Sequence, residues 1–467
     1  MRIQKVKLTL ISVAITSALF SYQTMAQQDP IGPEYANAAT AFFNESTISG
    51  GLNFFMRDRI RAATDGGAKV PNLDHGSIYL GLGFNSGYIN DVVGADVSIY
   101  GTFDMWNNAS PDHEMNFWGV NNPYDWDPTD SSGCSEIEGE YAEWNSDCTD
   151  NSAAVQTAAL KFKFGDNVRA KLGLFQPSVP SGVAPNWSFA AGTYTGGEIG
   201  ATFNNLDLGL VLADKYRAPW IKNRYDFRTT NGEDAGMLYS LGAIYKFANN
   251  STLDGAYSGL TDGNRSTFHL KYKTQLANGW KLSPQFYFVA DDKQYEDNAF
   301  QLALITSKKF GQFTFRADGT YSSADSGDSG KVGWIAYRLT KQYGGANGPY
   351  EVSWKNSSDY NHDGEMALFS SISRDFSDLN APGLSAGFSG AYGFGAKAEG
   401  YDELIEYAGS VFVNYDIQGG ALEGAKLGLH YTSYVNSSDS PTYGAYTNAF
   451  QNQNDLIATV IIPFTVK

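Results

Sequence analysis

The chain has 467 residues, with 50 Asp and Glu against 33 Lys and Arg, and a formal net charge of −17. An acidic surface does not bind the nucleic-acid backbone, and an aromatic content of 14% excludes a disordered chain. After residue 20 no apolar run approaches the roughly 20 residues that a membrane helix needs. Helical membrane proteins are thereby excluded, but β-barrels are not, because their strands have average hydropathy.

The N-terminus has the pattern of an export signal. Three basic residues, Arg2, Lys5 and Lys7, precede a short apolar stretch, and Thr24-Met25-Ala26 then offers a small-residue cleavage site. We therefore predict a cleaved signal peptide over residues 1–26 and a periplasmic N-terminal segment over 27–46.

Two cysteines, Cys134 and Cys148, lie close together in a chain that leaves the cytoplasm. In an exported protein such an isolated pair indicates a disulfide within one loop. The rival reading is a metal pair, but two cysteines with no histidine between them make a poor zinc site. We predict the disulfide, and neither a metal nor a cofactor.

The first predicted strand, at 47–61, alternates apolar and polar residues. Its even-numbered positions are mostly apolar, whereas its odd-numbered positions include Arg57, Arg59 and Arg61. Successive side chains of a strand point to opposite faces, so one face of this strand is mostly apolar and the other is polar.

The same alternation returns along the chain, with basic residues on the polar face. In ALKFKFGDNVRAKLGLF, Lys161, Lys163, Arg169 and Lys171 alternate with apolar residues on both sides of a tight turn. A later strand carries Arg316 and Asp318 on its polar face. If these strands enclose a channel, basic side chains along its inner face would set the electrostatic field that a passing solute meets. The alternative is that these charges are paired and only stiffen the wall.

Counting such segments gives the predicted architecture, an all-β transmembrane antiparallel barrel of 18 strands, with 16 as the alternative. A soluble sandwich or propeller is disfavoured because a dry core would leave the repeated Lys and Arg unpaired. An even number of strands puts both termini on the periplasmic side of a Gram-negative outer membrane, with short periplasmic turns and long extracellular loops. The predicted strands lie near 47–61, 73–85, 91–104, 153–164, 168–177, 197–204, 207–216, 237–247, 252–260, 266–275, 280–290, 298–309, 312–323, 365–376, 383–394, 406–416, 425–435 and 455–466.

The longest predicted loop, 105–152, contains eleven acidic residues, four tryptophans and no Lys or Arg. Two compatible interpretations stay open. The loop is a solvated extracellular surface that meets divalent cations among lipopolysaccharide headgroups, or it is a vestibule whose tryptophan rings catch sugars.

Several stretches together resemble the OprD-type outer-membrane porins, and most closely their chitoporin branch. They include ALKFKFGDNVRAKLGLFQP, VAPNWSFAAGTYTGGEIGATF, DKYRAPW, SSDYNHDGEMALF and LNAPGLSAGFSGAYG, and the matches run from about residue 47 to the end. The resemblance implies an 18-stranded barrel, inserted by the barrel assembly machinery, for passive uptake of chitin-derived N-acetylglucosamine oligomers. Unlike the family pattern, the chain ends in Lys467 rather than in phenylalanine.

The resemblance also implies a constriction made by inward-folded loops. It maps onto 177–194 and onto 348–364, the latter within a longer candidate segment, 325–364. The basic ladder of the family maps onto Lys161, Lys163, Arg169 and Lys171. In the two loops, Trp187, Tyr194 and Trp354 present rings on which the apolar faces of sugars stack.

Other functions were weighed against oligosaccharide uptake. The same barrel could serve basic amino acids, peptides or small carboxylates, as other OprD-type porins do. A barrel enzyme is disfavoured because none of the five histidines has a catalytic spacing, and an adhesin is supported only by the long loops. We predict that the protein is not an enzyme, and the sequence leaves monomer and trimer equally open.

Overall fold

The computed structural model describes ten stretches of the chain, and the following statements refer to these. The predicted signal peptide, Trp187, Cys134, Cys148 and nearly all of the acidic loop lie outside the described residues. The described stretches are 40–62, 68–108, 151–184, 188–218, 224–229, 233–326, 332–339, 349–397, 403–437 and 451–466.

Eighteen antiparallel strands form the wall, and the last strand pairs with the first to close the barrel. A two-residue strand, Tyr225–Asp226, is paired to the end of the seventh. In chain order the wall strands are β1 (Thr47–Ala62), β2 (Lys69–Asn85), β3 (Val93–Asn107), β4 (Ser152–Phe164), β5 (Val168–Phe175), β6 (Thr193–Phe203), β7 (Leu206–Arg217), β8 (Leu238–Lys246), β9 (Thr252–Leu260), β10 (Ser266–Gln275), β11 (Lys281–Ala290), β12 (Ala299–Phe310), β13 (Phe313–Ser323), β14 (Met366–Asp375), β15 (Leu384–Phe394), β16 (Glu406–Asp416), β17 (Lys426–Asn436) and β18 (Gln453–Thr465).

The prediction of 18 strands is therefore confirmed, and the alternative of 16 was wrong. The largest differences in strand limits are at the starts of β2 and β6, each of which begins four residues before the predicted position. Both extensions contain a register shift, near Pro71 in β2 and at Gly196 in β6. A bulge interrupts the alternation of side chains, and this hides the end of the strand from a pattern of period two.

The two faces of the wall differ as the alternation predicts. Large apolar side chains point away from the lumen and stay exposed, among them Leu172, Leu241 and Phe388, with 56–62% of their surface accessible. At the alternate positions of the strands, polar side chains such as Thr267 and Gln301 point inward and are buried. Apolar residues outside and polar ones inside are the pattern of a barrel that lipid surrounds. Within the described residues, no helix is long and apolar enough to cross a membrane.

Connections of two to nine residues join the strands at one end of the barrel, and most of the connections at the other end are longer. A short helix at 40–44 packs against the turn end, where the ring of Phe42 lies 6.1 Å from that of Phe84 and its carbonyl accepts a bond from Gly87. The end of the predicted periplasmic segment is therefore docked beneath the barrel.

Candidate functional site: the pore constriction

The described residues between β5 and β6, 176–184 and 188–192, here called the first inward loop, fold into the barrel. Its anchor is Glu198, a buried inward residue of β6. The carboxylate accepts bonds from the backbone N–H of Ser178 at 2.8 Å and from its hydroxyl at 2.6 Å. Further along, the N–H of Gly182 donates at 2.8 Å to Ser240 Oγ on β8, which is two strands away from β6 in the wall. The loop is thus tied to two strands of the same part of the wall.

Two wall glycines let this loop approach closely. A Cβ built on Gly209 would lie 2.2 Å from the carbonyl oxygen of Pro180, and one on Gly242 would lie 2.4–2.6 Å from the backbone of Pro180 and Ser181. Real Cβ atoms do not approach backbone so closely. The absence of a side chain at these two positions therefore fixes how far the loop sinks into the lumen.

The described residues between β13 and β14, 324–326, 332–339 and 349–365, here called the second inward loop, pack against other strands of the wall. Trp354 is buried, donates from Nε1 to Asp318 Oδ2 at 3.1 Å, and stacks on Phe369 with ring centroids 5.3 Å apart. Asn356 donates to Ser410 Oγ at 2.9 Å. These contacts fasten the loop to β13, β14 and β16.

A buried arginine holds another part of the second inward loop. Arg265 forms a 2.8 Å ion pair with Asp291, and its side chain is 1% exposed. It also donates to the carbonyls of Ala336 and Arg338, which belong to the loop. Because its charge is satisfied on every side by oxygen atoms, this cation is structural rather than available to a solute.

The two loops line a single cavity of about 730 Å³. On one side are residues 177–184, and on the other are Pro349 and Glu351, with Asp254 and Lys271 on the wall. Described residues of both inward loops therefore line the same cavity. The lining of the cavity includes backbone of the two loops and charged side chains of both signs.

In the lining of this cavity, a cation of β10 contacts a carboxylate of the second inward loop. Lys271 Nζ lies 3.1 Å from Glu351 Oε1, 2.9 Å from the carbonyl of Pro349 and 3.3 Å from Asp254 Oδ2. Lys273 reaches the same Glu351 oxygen at 2.7 Å. Burial would raise the pKa of Glu351, but the two lysines outweigh it and hold the pKa below its ordinary value.

The arginines of the first strand point inward, as predicted, and each has a polar partner. Arg57 pairs with Asp455 at 2.6 Å. Arg59 donates to Asn72 Oδ1 and Arg61 to Gln453 Oε1, each at 2.7 Å. They stand on the half of β1 nearest the long loops, so they line the outer half of the lumen.

The ladder at the turn end also points inward, but most of it is paired. Lys161 is buried and lies 3.2 Å from Asp96. Lys163 contacts Asp91 at 2.6 Å, and Lys171 lies 3.6 Å from Glu198. Since the partners carry the opposite charge, these three positions do not form a row of free positive charges.

Arg169 differs from the rest of the ladder. Its side chain is exposed and donates only to the carbonyls of Gly165 and Val168. Within the described residues it makes no ion pair, and it lines the cavity between the loops. It is the ladder position whose charge is most available to a solute.

Four further residues of the predicted site have structural roles. Arg316 pairs with Asp318 at 2.6 Å, and Asp318 also accepts from Trp354, so these three form one contact that holds the second inward loop. Tyr194 is fully buried and donates to the carbonyl of Ala184 at 3.2 Å. The predicted stacking of sugars on Tyr194 and Trp354 does not fit this burial, because neither ring has a free face.

Sequence reasoning missed Lys271, Lys273 and Glu351. The two lysines lie on the polar face of TFHLKYKT, a segment with the same alternation as the ladder, so that signal was present. Glu351 had no such signal, because it is brought to the lysines only when its loop folds inward. Position on a loop does not reveal contact with a strand about 80 residues away.

Comparison with known proteins agrees with this architecture. Residues 40–464 match the sequence model of the outer membrane porin, OprD family. The chain belongs to the OprD family. Family and barrel together put this porin in the outer membrane of a Gram-negative bacterium.

Individual relatives of this OprD-family porin span nearly its whole length. The chitoporin of Escherichia coli strain K12 is 33% identical over 460 residues, which cover 92% of this chain and 93% of that protein. Among solved structures, OccAB1 of Acinetobacter baumannii has a TM-score of 0.68 at 18% identity and covers 91% of this chain and 98% of that one. OccK8 (OprE) of Pseudomonas aeruginosa has a TM-score of 0.69 at 14% identity and covers 91% and 100%. The two structures share the fold of this chain.

Proposed function

We propose that this porin is a passive, substrate-selective channel for chitin-derived N-acetylglucosamine oligosaccharides. The observation that carries the proposal is a cavity between the inward loops whose lining offers hydrogen-bond donors, hydrogen-bond acceptors and charges of both signs. The chain is also 33% identical to a chitoporin. Sugars of this class are neutral and bear hydroxyl and amide groups. They need hydrogen-bonding partners along the path rather than a field of one sign.

The constriction supplies such partners. Lys271 and Arg169 donate, whereas Asp254, Glu351 and the carbonyl of Pro349 accept. Each of these groups already has a bond within the protein, so a passing sugar exchanges partners rather than filling a vacancy. Weak, repeated contacts of this kind allow entry without trapping, which transport requires.

The proposal is tested by single-channel recording in planar bilayers. Chitohexaose is expected to interrupt the ion current at micromolar concentration, whereas maltohexaose, which has hydroxyls but no N-acetyl groups, is expected to block much less. Equal blockage by the two sugars would refute the selectivity. No conductance from folded protein would instead favour an adhesin.

A second candidate is a channel for small carboxylates, and Arg169 is the observation that favours it. A cation without a carboxylate partner among the described residues would attract an anionic solute more than a neutral one. Liposome swelling separates the two proposals. Faster swelling with benzoate or with arginine than with di-N-acetylchitobiose would support one of the alternative solutes over chito-oligosaccharides.

We further propose that the protein acts by passage alone, without catalysis, and that its mature form begins after a signal peptide at 1–26. Lipopolysaccharide and the barrel assembly machinery are its proposed partners in the membrane.

The proposed disulfide between Cys134 and Cys148 predicts faster migration of the denatured chain in non-reducing than in reducing electrophoresis. Chemical crosslinking distinguishes a monomer from a trimer.

A further inference from the structure

Three ionisable side chains meet in the wall where the second inward loop returns to the barrel. They are His362 in the loop, Glu365 immediately before β14, and Glu406 at the start of β16. All three are 0% exposed. One nitrogen or oxygen atom from each lies within 4.8 Å of the others. The constriction described above does not use these residues.

The contacts of this cluster leave donor atoms unused. Glu365 Oε2 accepts from both the backbone N–H and Nδ1 of His362 at 2.9 Å, and Glu406 Oε2 accepts from the hydroxyl of Tyr434. The remaining oxygens, Glu365 Oε1 and Glu406 Oε1, are buried and have no hydrogen-bond partner within the described residues. The Tyr360 hydroxyl, which is close enough to feel both carboxylate charges, is equally unpartnered there. Orphaned buried oxygens are costly and call for an explanation.

Charge makes the cluster more unusual. The two carboxylates are fully buried, and a neutral imidazole offsets none of their negative charge. A divalent cation with a neutral imidazole and two carboxylates brings the sum to zero and occupies the unused oxygens.

Distances and chemistry favour a cation of the zinc type. His362 Nδ1 lies 2.9 Å from Glu365 Oε2 and 3.6 Å from Glu406 Oε1. Donor atoms that surround a tetrahedral zinc ion at 2.0–2.2 Å are about 3.4 Å apart, so small side-chain shifts suffice. One imidazole and two carboxylates suit zinc better than calcium or magnesium, which prefer oxygen alone.

The surroundings hold the three side chains in position. The arms of the loop pair at this point, with the N–H of Ile335 donating to Asn361 and that of Asp363 donating to Gly333. On the wall, a Cβ at Gly393 would lie 2.1 Å from Glu365 Oε1, so only glycine leaves room for this carboxylate. The cluster is therefore supported from the loop and from the strand.

We propose that His362, Glu365 and Glu406 bind one zinc ion, which fastens the second inward loop to β16. The ion would join a loop residue to a wall strand at the extracellular end of the pore. This inference does not depend on which solute the channel carries.

The test is a metal count on folded protein in detergent. The porin is stripped with a chelator, loaded with zinc chloride and dialysed, and zinc is measured per chain by mass spectrometry. Wild type is expected to retain one zinc more than Glu406→Gln and His362→Asn, with folding checked by heat-shift electrophoresis. Glu198→Gln is the matched control, since it removes a buried carboxylate of the other inward loop and should retain the same zinc as wild type.

The acidic loop 105–152 is present in every variant, so any zinc that it binds cancels in the comparison. Equal zinc in wild type and in the His362 and Glu406 variants would overturn the proposal, as would a wild type that retains none. If these variants do not fold, X-ray absorption on zinc-loaded wild type decides. A first shell of nitrogen and oxygen at about 2.0–2.1 Å with one imidazole supports the site, and a fully hydrated spectrum contradicts it.

Discussion

Lys271 on the barrel wall and Glu351 on the second inward loop are joined by a 3.1 Å contact between Nζ and Oε1, across 80 residues of sequence. Lys273 reinforces the contact from the next inward position of the same strand. The pair thus holds the loop against the wall and places charges of both signs in the lining of the cavity.

Replacing Glu351 by glutamine should alter the pore without unfolding the barrel. The change removes the carboxylate that two lysines share, so the constriction gains positive charge and the loop loses an anchor. We expect noisier single-channel currents and a reversal potential shifted towards anions in a salt gradient. Glu423→Gln, in an exposed turn, is the control, and identical reversal potentials for the two variants would contradict the assigned role.

The same pair predicts how the pore responds to acid. The pKa of Glu351 in the folded protein lies below its ordinary value of 4.5, so its ion pairs contribute fully above pH 4.5 and are lost as the pH falls through the lowered value. Wild-type conductance should therefore stay steady from pH 7 to pH 5 and become noisy only below pH 4.5. A bilayer titration of Glu351→Gln should lack this transition. A transition of equal size in the variant would assign it to another group.

Gly242 and Gly409 offer a matched pair of substitutions on strands. A Cβ at Gly242 would meet the backbone of the first inward loop, whereas one at Gly409 would meet nothing within 4 Å. Gly242→Ala should push the loop off the wall, cost about 1–3 kcal/mol of stability through overpacking, and change the single-channel conductance. Gly409→Ala should leave both quantities unchanged. Equal conductance in the two variants would show that the loop does not set the pore size.

The buried Trp354 predicts a graded series in stability. Trp354→Ala removes the stack on Phe369 and the bond to Asp318, and should cost about 3–5 kcal/mol. Trp354→Phe keeps a ring but loses the bond to a charged group, and should cost roughly 1.5–3 kcal/mol. Denaturant unfolding in detergent, followed by tryptophan fluorescence, measures both. A loss of sugar binding in Trp354→Phe at full stability would restore the substrate role that its burial argues against.

Lys161 and Arg169 separate structural charges from functional ones. Lys161→Gln leaves half-buried Asp96 without its cation and should destabilise the barrel by about 1–3 kcal/mol. Arg169→Gln removes an exposed charge and should leave stability within about 0.5 kcal/mol. It should lower the preference for anions by at most about fivefold, since charges in water at 4 Å interact by about 1 kcal/mol. The reverse assignment of the two effects would refute this division.

The strands of this protein and the two faces of its wall follow from the order of its residues alone. In a β-strand the side-chain period is two, so the alternation in segments such as 160–164 states directly which residues meet lipid and which meet the lumen. The same signal predicted that Arg57, Arg59, Lys161 and Arg169 point inward. Its largest errors were at bulges, where the start of β2 and that of β6 lie beyond the alternating residues.

The roles of the inward residues depend on contacts that exist only in the folded barrel. Whether Lys161 is a free charge or half of an ion pair depends on Asp96 in a neighbouring strand, and the role of Lys271 depends on a loop that folds back from the far end of β13. Trp354 looked suited to sugars until Asp318 and Phe369 enclosed it. The local pattern predicts the direction in which a side chain points. Its partners depend on closure of the barrel and on the inward folding of two loops. These contacts join residues that are far apart in sequence, so no local periodicity reveals them.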